Sequence, residues 1–278
     1  MHLIADSGST KTSWCLQNLS TGKTSRCQTA GMNPFFQDTG DMVNMLEKEF
    51  SLDCHGVDAI FFYGAGCVEG KKDVVRKALQ AFFAAPAVTV ESDLMAAARS
   101  LCGREEGIAC ILGTGSNSCY YDGRQIVQQV PPLGYILGDE GSGAVLGKML
   151  VSDVLKNQFP IRLQESFFDA FDTTPEAIME AVYRKPLPNR YLAGYTRFLS
   201  AHIDEPEVVD LLRRAFDAFF ARNIAQYPEA GNLPLHFTGS IALVFKNILG
   251  ESARAAGFRI GIVAGDPMGG LLRYHAMP

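Results

Sequence analysis

Two short stretches of small, hydroxyl-bearing residues stand in similar surroundings: Asp6-Ser7-Gly8-Ser9-Thr10-Lys11-Thr12 and Gly113-Thr114-Gly115-Ser116-Asn117. Each follows an apolar run that reads as a buried strand. Backbone N–H groups, hydroxyls and glycines in such a turn can approach phosphate oxygens closely, and the Asp6 carboxylate suits a magnesium ion. Either stretch alone is also compatible with a plain hairpin turn. Their recurrence at equivalent places favours phosphate binding. There is no G-x-x-x-x-G-K-[ST] element, so a P-loop is excluded and phosphate must be held by another device.

Glu91-Ser92-Asp93 lies where a strand gives way to a helix. Asp93 is there either an N-terminal capping residue or a catalytic base at the carboxyl edge of a sheet, the usual place for ligands in α/β proteins. In Leu133-Gly134-Tyr135-Ile136-Leu137-Gly138-Asp139-Glu140-Gly141-Ser142-Gly143, four glycines frame two acids just before a helix. That much glycine implies unusual backbone angles or close ligand approach, and the carboxylates can accept hydrogen bonds from a polyhydroxylated ligand. Asp139 has no evident part in phosphate binding. Gly64-Ala65-Gly66-Cys67-Val68-Glu69-Gly70 follows a strand and precedes a helix, with Glu91 ending the next strand, close to a dinucleotide-binding fingerprint. Its last interval is irregular, and the repeat described next already accounts for the elements around it.

The elements that must position these residues follow from periodicity and turn signals. His2 to Ala5, Thr12 to Asn18 and Lys23 to Thr29 read as a three-stranded meander. A helix over about 39–50, a strand over 58–63, a helix over about 70–84, a strand over 87–90 and a helix over about 93–101 extend it as a parallel sheet. Ile108 to Leu112, the Gly113 turn and Asn117 to Tyr121 then repeat the strand, polar turn and strand of the opening, so the chain is internally duplicated. Gly141 to about Arg222 is helical by pattern, with breaks near Phe159-Pro160, Thr173-Thr174-Pro175, Pro186 to Asn189 and Glu205-Pro206; Leu211, Leu212, Ala215, Phe216 and Phe219 mark a core-facing stripe. A strand over 235–238, a helix over 241–249, a strand over 258–263 and a terminal helix from about 267 complete the chain.

At 278 residues, 47% hydrophobic and 20% charged, the chain has material for two lobes with sizeable cores. A net charge of -5, without a Lys/Arg run longer than a pair, argues against nucleic acid or anionic lipid as partners. The opening apolar stretch is too short for a signal peptide and no run reaches a membrane span, so a cytoplasmic protein is expected. The seven cysteines contain no C-x-x-C pair and are expected to be reduced thiols.

With these residues in place, the chain resembles the N-acetylglucosamine kinase branch of the family that also holds the activator ATPases of benzoyl-CoA reductase, within the sugar kinase, Hsp70 and actin superfamily. The resemblance runs nearly end to end. Asp6 to Thr12 looks like the first phosphate loop, with Ser7 where the family commonly has glycine, and Gly113-Thr114-Gly115-Ser116 like the second. Asp93 falls on the catalytic aspartate, Gly138-Asp139-Glu140-Gly141-Ser142 on the segment that holds sugar hydroxyls, and Asn33 in Gly31-Met32-Asn33-Pro34 on a sugar-contacting asparagine. Thr238-Gly239-Ser240-Ile241-Ala242 resembles the turn that receives adenosine. The helical region is shorter than in mammalian-type sugar kinases of this group.

The resemblance implies a duplicated actin-like ATPase fold, related to ribonuclease H, with two α/β lobes and a nucleotide cleft between them. Residues 1–106 would form the N-terminal lobe and 107–278 the C-terminal lobe, with the terminal helix able to pack back on the first. It implies ATP-dependent phosphorylation of an amino sugar, N-acetylglucosamine at its 6-hydroxyl. Asp93 would be the base; Ser9, Thr10, Lys11, Gly113, Thr114, Gly115 and Ser116 would hold phosphates; and Asp6 would organise Mg2+ through water. Gly239 and Ser240 would receive adenosine, and Asn33, Gly138 and Asp139 the sugar. A homodimer is compatible with this reading. Two rivals stay open: an ATPase activator of a radical enzyme whose dimer shares an iron–sulfur cluster, and a non-catalytic sugar sensor.

Overall fold

The computed structural model describes residues 1–8, 10–83 and 87–277. Ser9, a candidate phosphate ligand, and Ala84, the expected end of the second helix, lie outside the described residues.

The chain divides into two compact units, one formed by Met1–Glu105, Gly123–Gln125 and Asp266–Pro278, the other by Glu106–Asp122 and Ile126–Gly265. The first begins with strands β1 (His2–Ser7), β2 (Lys11–Gln17) and β3 (Thr24–Ala30), then α1 (Thr39–Glu49), β4 (Ala59–Gly64), α2 (Lys72–Phe83), β5 (Ala87–Ser92) and α3 (Asp93–Cys102). The second has β6 (Glu106–Leu112), β7 (Ser116–Asp122) and β8 (Ile126–Val130). Helices α4 (Gly134–Leu137), α5 (Gly143–Leu155), α6 (Ile161–Phe171), α7 (Pro175–Arg184), α8 (Pro188–Gly194), α9 (Thr196–Ala201) and α10 (Pro206–Arg222) follow. The second unit ends with β9 (Leu235–Thr238), α11 (Ser240–Val244), α12 (Lys246–Ala255) and β10 (Ile260–Ala264), and α13 (Met268–Ala276) belongs to the first.

Both sheets have the same plan. The first runs β3-β2-β1-β4-β5 and the second β8-β7-β6-β9-β10, each an antiparallel meander continued by two parallel strands. The duplication read from the two polar turns therefore extends through the whole sheet. Strand β8 was not expected: its Gln128-Gln129 pair interrupts the apolar alternation, and only Val130 is buried, as suits an edge strand.

Alternation along β1 decides what its end can reach. Leu3 and Ala5 pack with Met42, Leu46, Val75 and Leu79 of α1 and α2, whereas Ile4 packs with Tyr63, Ala96, Met268 and Leu271 on the side of α3 and α13. Two residues beyond Ile4, Asp6 continues that second face. In the second unit the expected breaks fall at helix starts: Ile161 follows Pro160, and Pro175, Pro188 and Pro206 are each the first residue of a helix, where the missing N–H costs nothing. The stripe on α10 is buried, Leu211, Leu212, Ala215, Phe216 and Phe219 all belonging to one core. The helix expected over 241–249 is two, α11 and α12, meeting at the buried Phe245. Among the described residues no helix is long and apolar enough to cross a membrane.

Candidate active site

In the first unit the β1–β2 hairpin sets Asp6 opposite Ser13 and Ser7 opposite Thr12. Ser7 is fully buried; its hydroxyl pairs with Thr12 Oγ1 at 2.8 Å, donates to Met32 O at 3.3 Å and accepts the Met32 N–H at 3.0 Å. The residue that departs from the family's glycine thus points into the protein and ties the loop to the segment carrying Asn33, leaving exposed Gly8, Thr10 and Lys11 to form the loop's outer face. The Gly8 N–H closes the turn on Lys11 O at 3.0 Å.

Asp93 opens α3 but does not cap it. Ser92 Oγ accepts the Met95 N–H at 3.2 Å, while the Asp93 carboxylate accepts the Leu94 N–H at 2.9 Å. Burial pushes the Asp93 carboxyl above the usual carboxylate range, against the hydrogen bonds it accepts from the Leu94 and Asp93 backbone N–H groups. Asp6, half-buried, is pushed up to about 7, first by burial and then by the charges of Asp93 and Asp266, with Lys11 opposing. Asp266 escaped the sequence reading. It precedes α13, where its carboxylate accepts the Met268 N–H at 2.9 Å, and α13 packs so tightly on α3 that a Cβ on Gly270 would lie 2.2 Å from Ser100 O. Asp6 and Asp93, expected to act together, are electrostatic neighbours in the same unit.

Asn33 is half-buried, its Oδ1 accepting the Phe35 N–H at 3.0 Å and its N–H donating to Gln37 Oε1 at 2.9 Å. Gly66, with φ 80°, makes room for it, since a Cβ there would stand 2.5 Å from Asn33 Oδ1. Gly66, the middle glycine of the run close to a dinucleotide fingerprint, is accounted for by this packing.

In the second unit β6 ends at Leu112 and β7 restarts at Ser116, so Gly113, Thr114 and Gly115 form the turn, closed by the Gly113 N–H on Gly115 O at 3.0 Å. The glycine-framed loop is stitched to that turn. The Gly143 and Ala144 N–H groups donate to Gly113 O and Thr114 O at 2.8 and 3.0 Å, and Ser142 caps α5. Gly138 lies where a Cβ would meet Pro132 O at 2.2 Å, and Asp139 adopts φ 55°. The Asp139 carboxylate accepts the Ser116 N–H, and an added Cβ on Gly115 would stand 3.1 Å from its Oδ2. Asp139 thus lies against the Gly113 to Ser116 turn, the stretch expected to hold phosphate. Burial, with Glu140 adding to it, raises its carboxyl to about 6 against that bond and Lys148. Glu140 is not free for a ligand: it pairs with the Arg222 guanidinium and accepts from Asn223 Nδ2 at 3.2 Å.

The Gly239 turn also leans on this loop. Gly239 has φ 118°, and a Cβ there would stand 2.2 Å from Leu112 O, so glycine is required by packing as well as by backbone angle. Ser240, the first residue of α11, is exposed, and the Thr238 hydroxyl just before the turn is buried without a hydrogen-bond partner.

The carboxylates fit a hydrated magnesium ion better than a stripped one. Asp6 carries excess negative charge around a hard oxygen donor, but among the described residues no three His, Cys, Asp or Glu side chains gather closely enough to hold a metal by themselves.

Two mixed α/β units of one plan, each with a polar turn between its first two strands, define the actin-like ATPase class. A candidate N-acetylglucosamine kinase from Porphyromonas gingivalis is 46% identical to this chain, with 99% of each chain covered and a TM-score of 0.96. A second, from Chromobacterium violaceum, is 19% identical over 98% of each chain, with a TM-score of 0.76. A ROK-family glucokinase from Streptomyces griseus, solved with glucose and AMPPNP, is 16% identical over 99% of this chain and 97% of its own, with a TM-score of 0.56. These last two bear on the fold alone. No family model and no curated protein matches the chain. The chain belongs to the N-acetylglucosamine kinase-like family of sugar kinases.

Proposed function

We propose that this protein transfers the γ-phosphoryl group of ATP to the 6-hydroxyl of N-acetylglucosamine. The observation that carries the reading is the 46% identity to the Porphyromonas candidate kinase along 99% of both chains. The site supports the same chemistry. Asp93 has a carboxyl made more basic than usual by burial, as a general base requires. It takes the proton of the attacking hydroxyl, while Asn33 in the first unit and Gly138 and Asp139 in the second orient the sugar.

Thr10 and Lys11 in the first unit, and the Gly113 to Ser116 backbone in the second, hold phosphoryl oxygens, with Ser9 in the same role. Gly239 and Ser240 receive the adenosine, where the buried Thr238 hydroxyl offers a polar group without a protein partner. Asp6 would hold Mg2+ through water, and the ion, when bound with ATP, neutralises charge on the phosphates. The protein's own part is mainly positioning and proton transfer. An iron–sulfur activator is less well supported, since five of the seven cysteines (Cys15, Cys67, Cys102, Cys110 and Cys119) are buried in the two units.

The test is ADP release with ATP, magnesium and a panel of N-acetylglucosamine, glucosamine, N-acetylmuramic acid and glucose. N-acetylglucosamine is expected to give the highest kcat/KM, with the product phosphorylated at the 6-hydroxyl by NMR. A preference for another sugar overturns the acceptor assignment, and no sugar-dependent ADP release overturns the reaction.

A further inference from the structure

The second phosphate loop and the sugar loop are parts of one hydrogen-bonded assembly in the second unit. Gly143 and Ala144 donate to the carbonyls of Gly113 and Thr114, the Ser142 N–H donates to Asp139 O at 3.0 Å, and the Asp139 N–H donates to Pro132 O at 2.9 Å. This holds Asp139 with its carboxylate over Gly115 and on the Ser116 N–H. The same N–H is among the donors assigned above to the nucleotide.

We propose that Asp139 couples the two substrates: its carboxylate competes with the nucleotide phosphates for the Ser116 N–H, and a sugar hydroxyl that draws the carboxylate away releases that donor to the nucleotide. The inference rests on the sugar-kinase reading and on the assignment of Asp139 to the sugar.

The physical case has three parts. A carboxylate and a phosphoryl oxygen are both acceptors, and one N–H cannot serve both well. They are also like charges brought together beside a partly buried loop, where repulsion is stronger than in water. A sugar hydroxyl, by contrast, donates to the carboxylate and satisfies it without contesting the loop. Gly115 matters to this contact because a side chain there would press on Asp139 Oδ2 at 3.1 Å. By linkage, a sugar that raises nucleotide affinity by some factor must have its own affinity raised equally by the nucleotide.

The experiment is calorimetric titration of the full chain with AMPPNP and magnesium, with and without saturating N-acetylglucosamine, in the wild type, Asp139→Asn and Asp139→Gly. Both replacements tolerate the backbone at φ 55°, so at least one folded variant is expected. Asn removes the charge; Gly removes the competing acceptor as well. In the sugar-free titration both variants should bind AMPPNP more tightly than the wild type, by about tenfold, within the usual range of coupling factors. In the wild type, saturating sugar should tighten AMPPNP binding by a similar factor. Equal or weaker nucleotide binding by both sugar-free variants overturns the proposal, as does a wild-type nucleotide affinity that saturating N-acetylglucosamine leaves unmoved. The sugar-free arm needs no acceptor, so its failure is distinct from the failure of the kinase reading, which the sugar panel decides.

Discussion

The Ser92 hydroxyl accepts the Met95 N–H at 3.2 Å, and one residue on the Asp93 carboxylate accepts the Leu94 N–H at 2.9 Å, so the cap of α3 and the candidate base are separate residues. Their substitutions should therefore have opposite signatures. Ser92→Ala should cost about 1 kcal/mol of stability and leave kcat within a few-fold of normal. Asp93→Asn should fold with unchanged or higher Tm, since a charge penalised by burial is removed, and lose on the order of 10² to 10⁴-fold in kcat. Near-normal turnover by Asp93→Asn would remove it from the base role.

Asp6 gives a pH prediction. Its carboxyl is raised from 3.8 to about 7 by burial and by Asp93 and Asp266. Between those values the native state keeps a proton that the unfolded chain has lost, so this group makes the protein less stable as pH rises from about 4 to about 7, and no further above that. In EDTA at pH 8, Asp6→Asn should thus melt a few degrees above the wild type, a difference that shrinks towards pH 4. Magnesium should raise the Tm of the wild type at pH 8 more than that of Asp6→Asn. A variant that melts lower than the wild type in EDTA at pH 8 contradicts charge crowding around Asp6.

How much of this was legible in the sequence depends on the range of the interaction. The two polar turns, their strands and the proline-marked helix starts are local patterns, and the structure has them where composition and spacing put them. Ser92 and Asp93 are both good capping residues, and only the backbone geometry decides between them. Asp266 sits in Gly265-Asp266-Pro267, which reads as an ordinary turn; its meaning comes from α13 packing on β1 and α3 from the far end of the chain. The contact of Asp139 with Gly115 and Ser116 is equally non-local. It depends on hydrogen bonds between two loops that each look self-sufficient in sequence.

The Gly239-Ser240 turn, proposed above to receive adenosine, needs a test that separates packing from binding. Gly239→Ala places a Cβ 2.2 Å from Leu112 O at φ 118°, and should destabilise the protein by about 2 kcal/mol or more before any nucleotide effect can be read. Ser240 is exposed, so Ser240→Phe should leave Tm within about a degree, as exposed substitutions usually do, and weaken AMPPNP binding. Unchanged affinity in Ser240→Phe would move the adenosine away from α11.

Glu140 follows Asp139 in sequence but has its own partners, Arg222 and Asn223 at the end of α10. Its side chain is only 15% exposed while that of Arg222 is 63% exposed, so the carboxylate is the anchored partner and the guanidinium the replaceable one. Arg222→Ala should cost less than about 1 kcal/mol, the usual worth of a half-exposed pair, because Asn223 still donates to Glu140. Glu140→Ala strips the buried Asn223 amide of its acceptor and should cost about 1–3 kcal/mol. If the anchor serves to hold the glycine-framed loop in register, Glu140→Ala should also raise KM for the sugar several-fold while kcat at saturation falls little. Arg222→Ala should leave both near normal. A loss of stability in Glu140→Ala with sugar KM unchanged would mean that the anchor fastens α10 to the core and does not position the sugar loop.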